Sequence, residues 1–417
     1  MALSNHTIIA GGGIIGLCCA YYLHKDKHEV TVIDRTGITD NCSFGNMGYF
    51  SPSHFMPLAQ PGIITEGLLH LFNSKSPFYI KPRLNKELLQ WAWQFKRNAR
   101  GKTALQNAVY LNNILQLSRG LINEVRKDIG DHFKMQEKGC FMLCRTNSGL
   151  RHEEELMPMA EQFGLQVEKL SRHKVQEMEE HVETNVIGAI WFKDDCHIHP
   201  GMFMNALKKY LQDNGVHFIL HEEVTGFEKN GNSVSAVITQ NQKLVADHFV
   251  IAAGSWLPQV ASLLQTHILL QPGKGYSHTY DDVEKNILYP AILVEGRCAI
   301  TPWQQMLRIG GTMEFSGLNH EILMRRMQGI YQNIKMYYPG LQIQMPEQEN
   351  VWCGLRPVSP DGLPYIDKLP GYENVIMAGG HAMLGVSQCT GTGLLVSQML
   401  QNKPTEIDMH PFRLNRF

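Results

Sequence analysis

The chain opens on short apolar runs set apart by glycine and charge. Ile8 to Ala10 reads as a strand, the glycine turn after it opens an apolar helix, and Thr31 to Ile33 reads as a second strand closed by Asp34. Runs without polar alternation are what strands buried on both faces show. The next stretch, NCSFGNMGYFSPSHFMPLAQPG (41–62), has neither helical nor strand period and is rich in Gly, Ser, Pro and Asn, so it predicts an irregular segment of the kind that wraps a ligand. Apolar residues then recur at helical spacing, first Leu84, Leu88, Trp91 and Phe95, then Leu111, Ile114, Leu115, Ile122 and Val125. These predict helices of a different domain, with the Trp-bearing stripe serving as core. Strands are predicted over 139–145 and 186–192. Pro200 opens a helix carrying Phe203, Leu207, Tyr210 and Leu211, stopped by Asn214-Gly215, and a strand over 216–224 follows. After a hairpin-like stretch, the apolar run Phe249 to Ala253 halts at Gly254, as strands do where a ligand crosses the carboxyl edge of a sheet. The first fold is therefore resumed here. The chain departs again through LLQPGKGYSHTY, a strand over 307–312 and a helix over 319–337, then turns at Pro339-Gly340. The division read from this alternation is 1–62, 190–262 and 345–417 for one domain, and 63–189 with 263–344 for the other.

Length and charge narrow the partner. A chain of 417 residues exceeds what one core usually serves. With 38 basic and 39 acidic side chains, no field of one sign exists to gather nucleic acid, which leaves a small molecule. The nine cysteines (18, 19, 42, 140, 144, 196, 298, 353, 389) have no paired spacing, so neither zinc nor a disulfide framework is expected and a reduced cytoplasm fits. His197 and His199 share a strand face without a third ligand, so no metal is assigned. The first strand comes too early for a cleavable signal and no apolar run reaches bilayer length. Peripheral contact with the inner face of a membrane stays compatible with this.

The chemistry starts at AGGGIIG. Gly11 makes the tight turn after the strand, Gly13 lets backbone N–H groups approach a pyrophosphate, and Gly16 lets the helix lie close on the sheet. The helix N-terminus faces the phosphates with its positive end. Asp34 comes at the distance, about 20 residues, that suits a carboxylate accepting from ribose hydroxyls. NAD and FAD both satisfy this pattern.

The block VWCGLRPVSPDGLPYIDKLPGYENVIMAGGHAMLGVSQCTGTGLLVSQML (351–400) joins an arginine, a PDG turn, a buried strand and a glycine-rich start of a last helix. With the N-terminal unit, the Ser43 to Ser51 stretch and the AAGSW ending at Trp256, it resembles the D-amino-acid oxidase superfamily of FAD flavoproteins. Within it, the likeness is to the bacterial D-amino-acid dehydrogenase small subunits, with glycine oxidase and D-hydroxyproline dehydrogenases sharing GLRP and GGH. The resemblance implies an α/β fold, a Rossmann-like FAD-binding domain interleaved with an α+β substrate domain on a mixed or antiparallel sheet.

Residue by residue, it implies that Gly11, Gly13, Ile15 and Gly16 hold the pyrophosphate and Asp34 the ribose. Ser43, Asn46, Gly48 and Ser51 match the stretch along the isoalloxazine, Val224 the adenine contact and Gly254 the strand end beside the cofactor. Gly380, His381, Leu384, Gly385 and Thr390 match the turn and helix start at the flavin pyrimidine edge. Arg356 resembles the family arginine that grips the substrate carboxylate, a task suited to a planar fork of donors. Lys274 and Tyr276, in a KGYS run, are candidates for the pocket wall. His54 and Phe55 stand where the related dehydrogenases carry Gly-Tyr, so His54 is a candidate acid/base group. Cys353 precedes GLRP by one residue, near where sarcosine oxidases anchor flavin, but its register is offset and non-covalent FAD is expected.

No second dinucleotide unit and no C-x4-C redox pair follow Gly16, so the electrons are expected to come from the organic substrate. The implied reaction is oxidative deamination of a D-amino acid. Oxidation of another amine, such as glycine, sarcosine or a hydroxyproline isomer, is the alternative, and a non-catalytic FAD-binding electron-transfer subunit is the second. The acceptor is left open between quinone, oxygen and a protein.

Overall fold

The computed structural model describes residues 5–39, 41–62, 78–81, 83 and 85–417. Among them, two sheets carry the fold. The first has six strands in the order Tyr365–Lys368, Val375–Gly379, His248–Ile251, His6–Ala10, Glu29–Asp34 and His217–Leu220. Neighbours run parallel throughout except at the Tyr365–Lys368 edge. Alternate side chains face opposite cores, as the strand period requires. Ile9, Val32, Val250 and Ile376 pack under the helices Ile14–Lys25, Gly101–Ile129, Pro200–Asp213 and Gly385–Leu400. Ile8, Ile33, Phe249 and Met377 pack instead against the antiparallel meander of Val224–Asn230, Ser233–Thr239 and Lys243–Val245 and the helix Leu257–Leu263.

The second sheet runs Trp352–Val358, Gln271–Tyr280, Met306–Phe315, Cys298–Trp303, Ala291–Leu293, Cys140–Cys144, Gly188–Phe192 and Val167–Ser171, with Phe78–Ile80 beside Met306–Phe315. It is mixed, being antiparallel apart from two parallel pairings. The helix Met324–Tyr337 covers one face with Met327, Ile330 and Ile334.

Several expectations shift. The helix Gly101–Ile129, read as part of the other domain, buries Leu111, Ile114, Leu115, Ile122 and Val125 in the core of the parallel sheet. Its periodicity announces a buried face but not which core receives it. Gly188–Phe192 and Trp352–Val358, whose residues from 190 and from 345 the division gave to the nucleotide domain, run in the large sheet. The expected strand over 216–224 stops at Leu220, because His221 takes a positive φ of 59°. The helix Lys86–Asn98 forms with Asn85 as its cap, its Oδ1 accepting from Leu88 N at 2.9 Å. Leu88, Trp91 and Phe95 are buried, whereas Leu84 lies outside the described residues. No helix among the described residues is long and apolar enough to cross a membrane.

Candidate active site

The N-terminal turn is built for close backbone approach. Gly11 has φ +114°, and a Cβ there would strike Ala252 O. A Cβ at Gly16 would strike Gly11 O, so the first helix sits where only glycine fits. Above Gly13 the nearest atom to an added Cβ is Ser43 Oγ at 3.8 Å, and none lies within 4 Å at Gly254. That leaves an open trough over the uncapped N-terminus of Ile14–Lys25, whose Ile14 N–H donates to Ser43 Oγ at 3.3 Å. Ile15 and Val224 are half-buried, Ile15 against the core under the helices and Val224 against the core beneath the meander. Asp34 Oδ2 accepts from Gly12 N at 2.7 Å and Oδ1 from Thr36 N at 2.8 Å and Thr36 Oγ1 at 2.7 Å. A carboxylate has about four acceptor sites, so one remains for a sugar hydroxyl.

The irregular segment bends over this trough and is held from the large sheet by its carbonyls. Arg308 Nη1 donates to Phe44 O and Asn46 O, Ser277 Oγ to Gly45 O at 2.9 Å and Thr301 Oγ1 to Met47 O at 2.9 Å. Burial lowers the Arg308 guanidinium to about 10. Asn46 Nδ2 reaches Met383 O at 3.4 Å, and Ser387 Oγ donates to Tyr49 O at 2.6 Å. The segment is thereby tied to the start of the closing helix Gly385–Leu400, whose N-terminus also lacks a side-chain cap. Gly380 has φ +79°, and His381 Nε2 bonds Thr392 Oγ1 at 2.9 Å. Burial pushes the His381 imidazole down to about 3, so it is neutral.

Between these elements lies a cavity of about 390 Å³. Asn46, Ser51, His54, Leu384 and Arg356 all line it, with Trp352, Cys42 and Glu153. Arg356 is half-buried and donates from Nη1 to Thr312 O at 2.5 Å. Among the described residues no carboxylate pairs with it, and desolvation lowers its guanidinium below the usual value. It lies flat on Gly275, where a Cβ would overlap Nη1, Nη2 and Cζ. The Trp352 indole is seated against Gly45 and Gly354 in the same manner.

Lys274 and Tyr276 are not part of this wall through their functional atoms. In the register, Gly273 opposes Arg356, while Lys274 opposes Leu355 and Tyr276 opposes Cys353. Alternation along the strand therefore turns both side chains to the far face. There Tyr276 OH donates to Glu314 Oε2 at 2.9 Å, Lys274 Nζ reaches Asn319 Oδ1, Glu321 O and Glu314, and Arg326 also pairs with Glu314. Cys353 is on that face too, packed in the core of the large sheet. Gly48 serves the backbone, since its φ of +85° lets Ile198 O approach. Thr390 bonds Ser118 Oγ at 2.7 Å and Ser118 O at 2.8 Å, holding two helices together away from the cavity. Gly385 makes no close approach of its own. His197 and His199 are each engaged by backbone, at Pro302 O and Met202 N.

A family model described as FAD dependent oxidoreductase (DAO) matches residues 6–399. The chain belongs to the DAO family of FAD-dependent oxidoreductases. The trough over Gly11 and Gly13, the two uncapped helix N-termini and the free acceptor site of Asp34 suit FAD, the cofactor of this family. The chain is 28% identical to a D-amino acid dehydrogenase of Helicobacter pylori over 407 residues, covering 97% of each chain. It is 27% identical to the D-amino acid dehydrogenase of Granulibacter bethesdensis, over 98% of this chain and 99% of that one. Among solved structures, glycine oxidase from Geobacillus kaustophilus superposes with a TM-score of 0.78 at 20% identity, over 99% of this chain and 100% of that one. L-proline dehydrogenase from P. horikoshii does so with a TM-score of 0.76 at 16% identity, over 100% and 98%. These likenesses bear out the fold class read from the sequence.

Nothing in the sequence signalled the roles of Arg308 and Trp352. Arg308 stands in a strand that was read, but a buried cation gives no local sign of the carbonyls it will meet.

Proposed function

We propose that this FAD-dependent oxidoreductase oxidises the amino-bearing α carbon of a D-amino acid. The observation that carries the reading is Arg356, a guanidinium with no acidic partner among the described residues, set in the wall of the cavity where both ends of the chain meet. Arg308, also without a carboxylate, spends its donors on Thr279 Oγ1, Phe44 O and Asn46 O, whereas Arg356 bonds only Thr312 O among the described residues and keeps donors for a substrate carboxylate. The names of the curated relatives support the D configuration.

Gly11, Gly13, the N-terminus of Ile14–Lys25 and Asp34 would hold FAD, which would supply a two-electron acceptor for the hydride of the α carbon, and water would hydrolyse the resulting imine to a 2-oxo acid and ammonia. Arg356 fixes the carboxylate through charge-assisted hydrogen bonds. Arg356 and Trp352 are fixed against Gly275, Gly45 and Gly354, so a carboxylate bound there would be held in one orientation, which can provide much of the rate. Arg308, Ser277 and Thr301 keep the 44–47 backbone in one shape, which fixes the far wall.

The test is anaerobic mixing of the yellow holoenzyme with D-alanine, D-proline, hydroxy-D-proline and a broad D-amino-acid panel, with the L forms beside them. Bleaching of the flavin band by D forms is expected. No bleaching by any of them would remove the substrate class.

A further inference from the structure

Ser53 and His54, which line the same cavity as Arg356, belong to a chain of polar groups that leads inward. Ser53 Oγ donates to Asp195 Oδ2 at 2.5 Å, and the Ser53 N–H donates to Asp195 Oδ1 at 3.1 Å. The same Ser53 Oγ lies 3.0 Å from His54 Nδ1. A serine hydroxyl has one proton, and it is spent on the carboxylate, so His54 Nδ1 must carry its own proton and donate to Ser53. His54 Nε2 is then a bare acceptor. It has no hydrogen-bond partner among the described residues, and His54 lines the cavity, stacked on Tyr49 with 6.3 Å between ring centroids. Asp195 is 1% exposed, and among the described residues no cation is bonded to it.

We propose that His54, Ser53 and Asp195 form a proton relay that takes a proton from the substrate ammonium and delivers it to the buried carboxylate. The step balances with three moves. The ammonium proton passes to His54 Nε2, the Nδ1 proton passes to Ser53 Oγ, and the Ser53 proton passes to Asp195 Oδ2. The products are a neutral amine, an imidazole of the other tautomer and a carboxylic acid. The inference rests on the amino-acid reading above.

The environment of each group supports this. Burial holds the His54 imidazole down to about 4, which forbids an imidazolium but not a change of tautomer. Burial raises Asp195 to about 7 against the pull of the Ser53 bonds and of the neighbouring Ser51 hydroxyl, so near neutrality it can take a proton and give it back. Asp194 adds to the rise. Arg119, whose guanidinium pairs with Glu137 at 2.6 Å, is close enough to Asp195 to feel its charge, as are the thiols of Cys140 and Cys196. Around His54 the ionisable groups in the cavity wall are Tyr49, Cys42, His152, Glu153, Arg297, Cys298 and Arg356. Glu153 also rises to about 7 by burial, so Glu153→Gln is the control for any acid limb.

Ser53→Ala cuts the chain while leaving both ends in place. With a D-amino acid that bleaches the wild type, kcat/KM at neutral pH is expected to fall about 100-fold. The loss of rate toward acid pH, where Asp195 is already protonated, should vanish in Ser53→Ala and Asp195→Asn and persist in Glu153→Gln. Propionate, a carboxylate without an amine, should bind the holoenzyme equally in wild type and Ser53→Ala. A second measurement needs no turnover: in 15N-histidine spectra of the holoenzyme, assigned with His54→Gln, the neutral His54 ring should exchange its Nδ1–H form for the Nε2–H form as pH falls through about 7. Ser53→Ala should abolish the exchange. A tautomer that is constant with pH, or one that switches without Ser53, overturns the relay even if the substrate panel fails. Bleaching by a D-amino acid with kcat/KM unchanged in Ser53→Ala overturns it while leaving the substrate class standing.

Discussion

Replacing Gly275 by alanine tests the seat of the carboxylate clamp without touching the clamp. Gly275 is in the middle of Gln271–Tyr280 with an ordinary strand backbone, so its φ and ψ suit alanine without strain. Its methyl, however, would come to 2.2 Å from Arg356 Nη2, 2.3 Å from Cζ and 2.4 Å from Nη1. Non-bonded atoms prefer separations near 3.5 Å, so the guanidinium must withdraw by roughly 1 Å or more and give up its bond to Thr312 O. A hydrogen bond between charged groups contributes about 1.5–3 kcal/mol. Losing one of the two that a forked donor makes to a carboxylate lowers binding by about 10- to 150-fold, at about 1.4 kcal/mol per factor of ten. A misplacement of about 1 Å alone can cost on the order of 100-fold in rate. Both routes lead to a fall of about 100-fold in kcat/KM, measured with a dye acceptor on whichever D-amino acid bleaches the flavin. Propionate affinity, read from the shift of the flavin spectrum, should fall in parallel, and Arg356→Lys on top of Gly275→Ala should add little. The overpacking itself costs about 1–3 kcal/mol of stability, so the variant should fold and stay yellow. Activity and propionate affinity both within threefold of wild type would show that the guanidinium is not held where the reasoning needs it.

Arg308→Met should loosen the cofactor rather than the substrate. It leaves Phe44 O and Asn46 O buried without a donor, at about 1–3 kcal/mol each, and the flavin dissociation constant, followed by released flavin fluorescence, should rise at least tenfold; unchanged affinity would acquit Arg308 of shaping the segment. Glu179 gives a pH prediction: it is fully buried, accepts from Leu288 N and Tyr289 N, and burial raises its carboxyl to about 7. Since the folded value lies above the unfolded one, the folded state holds the extra proton between about pH 4.5 and 7, and stability falls as pH rises through that window. Glu179→Gln lacks this slope, so its stability relative to wild type, from urea midpoints of the holoenzyme, should climb by at most about 3 kcal/mol from pH 4.5 to 7. The buried neutral histidines 54, 197, 199 and 381 act in the opposite sense below about pH 6.5 but cancel in the difference; a flat difference would refute the assignment.

What the sequence disclosed and what it hid divide along one physical line. The Gly11 to Gly16 turn, Asp34 and the start of the closing helix were legible because their function depends on backbone shape, and backbone shape is set by residues a few positions apart. The positions of Lys274, Tyr276 and Arg356 depend on which face of a strand looks into the cavity. That is decided by the pairing of Gln271–Tyr280 with Trp352–Val358, about eighty residues away, and a KGYS run reads the same in either phase. Ser53 and Asp195 meet across 142 positions, with no local signature in either.

The same pairing explains why one strand carries glycine and lysine in turn. On the cavity face, Gly275 admits the flat Arg356 side chain, which any Cβ there would lift, and Gly273 admits Met313. On the opposite face, Lys274 and Tyr276 reach Glu314, which also receives Arg326 from the covering helix. Removing one member of a buried ionic cluster costs about 3–5 kcal/mol, whereas the assembled cluster adds little net stability. A slip of the strand by one residue would expose Lys274 and Tyr276 to the cavity and bury the arginine without its space. The ionic cluster therefore penalises the wrong phase heavily, and the phase it enforces is the one in which a guanidinium without a protein partner faces the place where a substrate acid would lie.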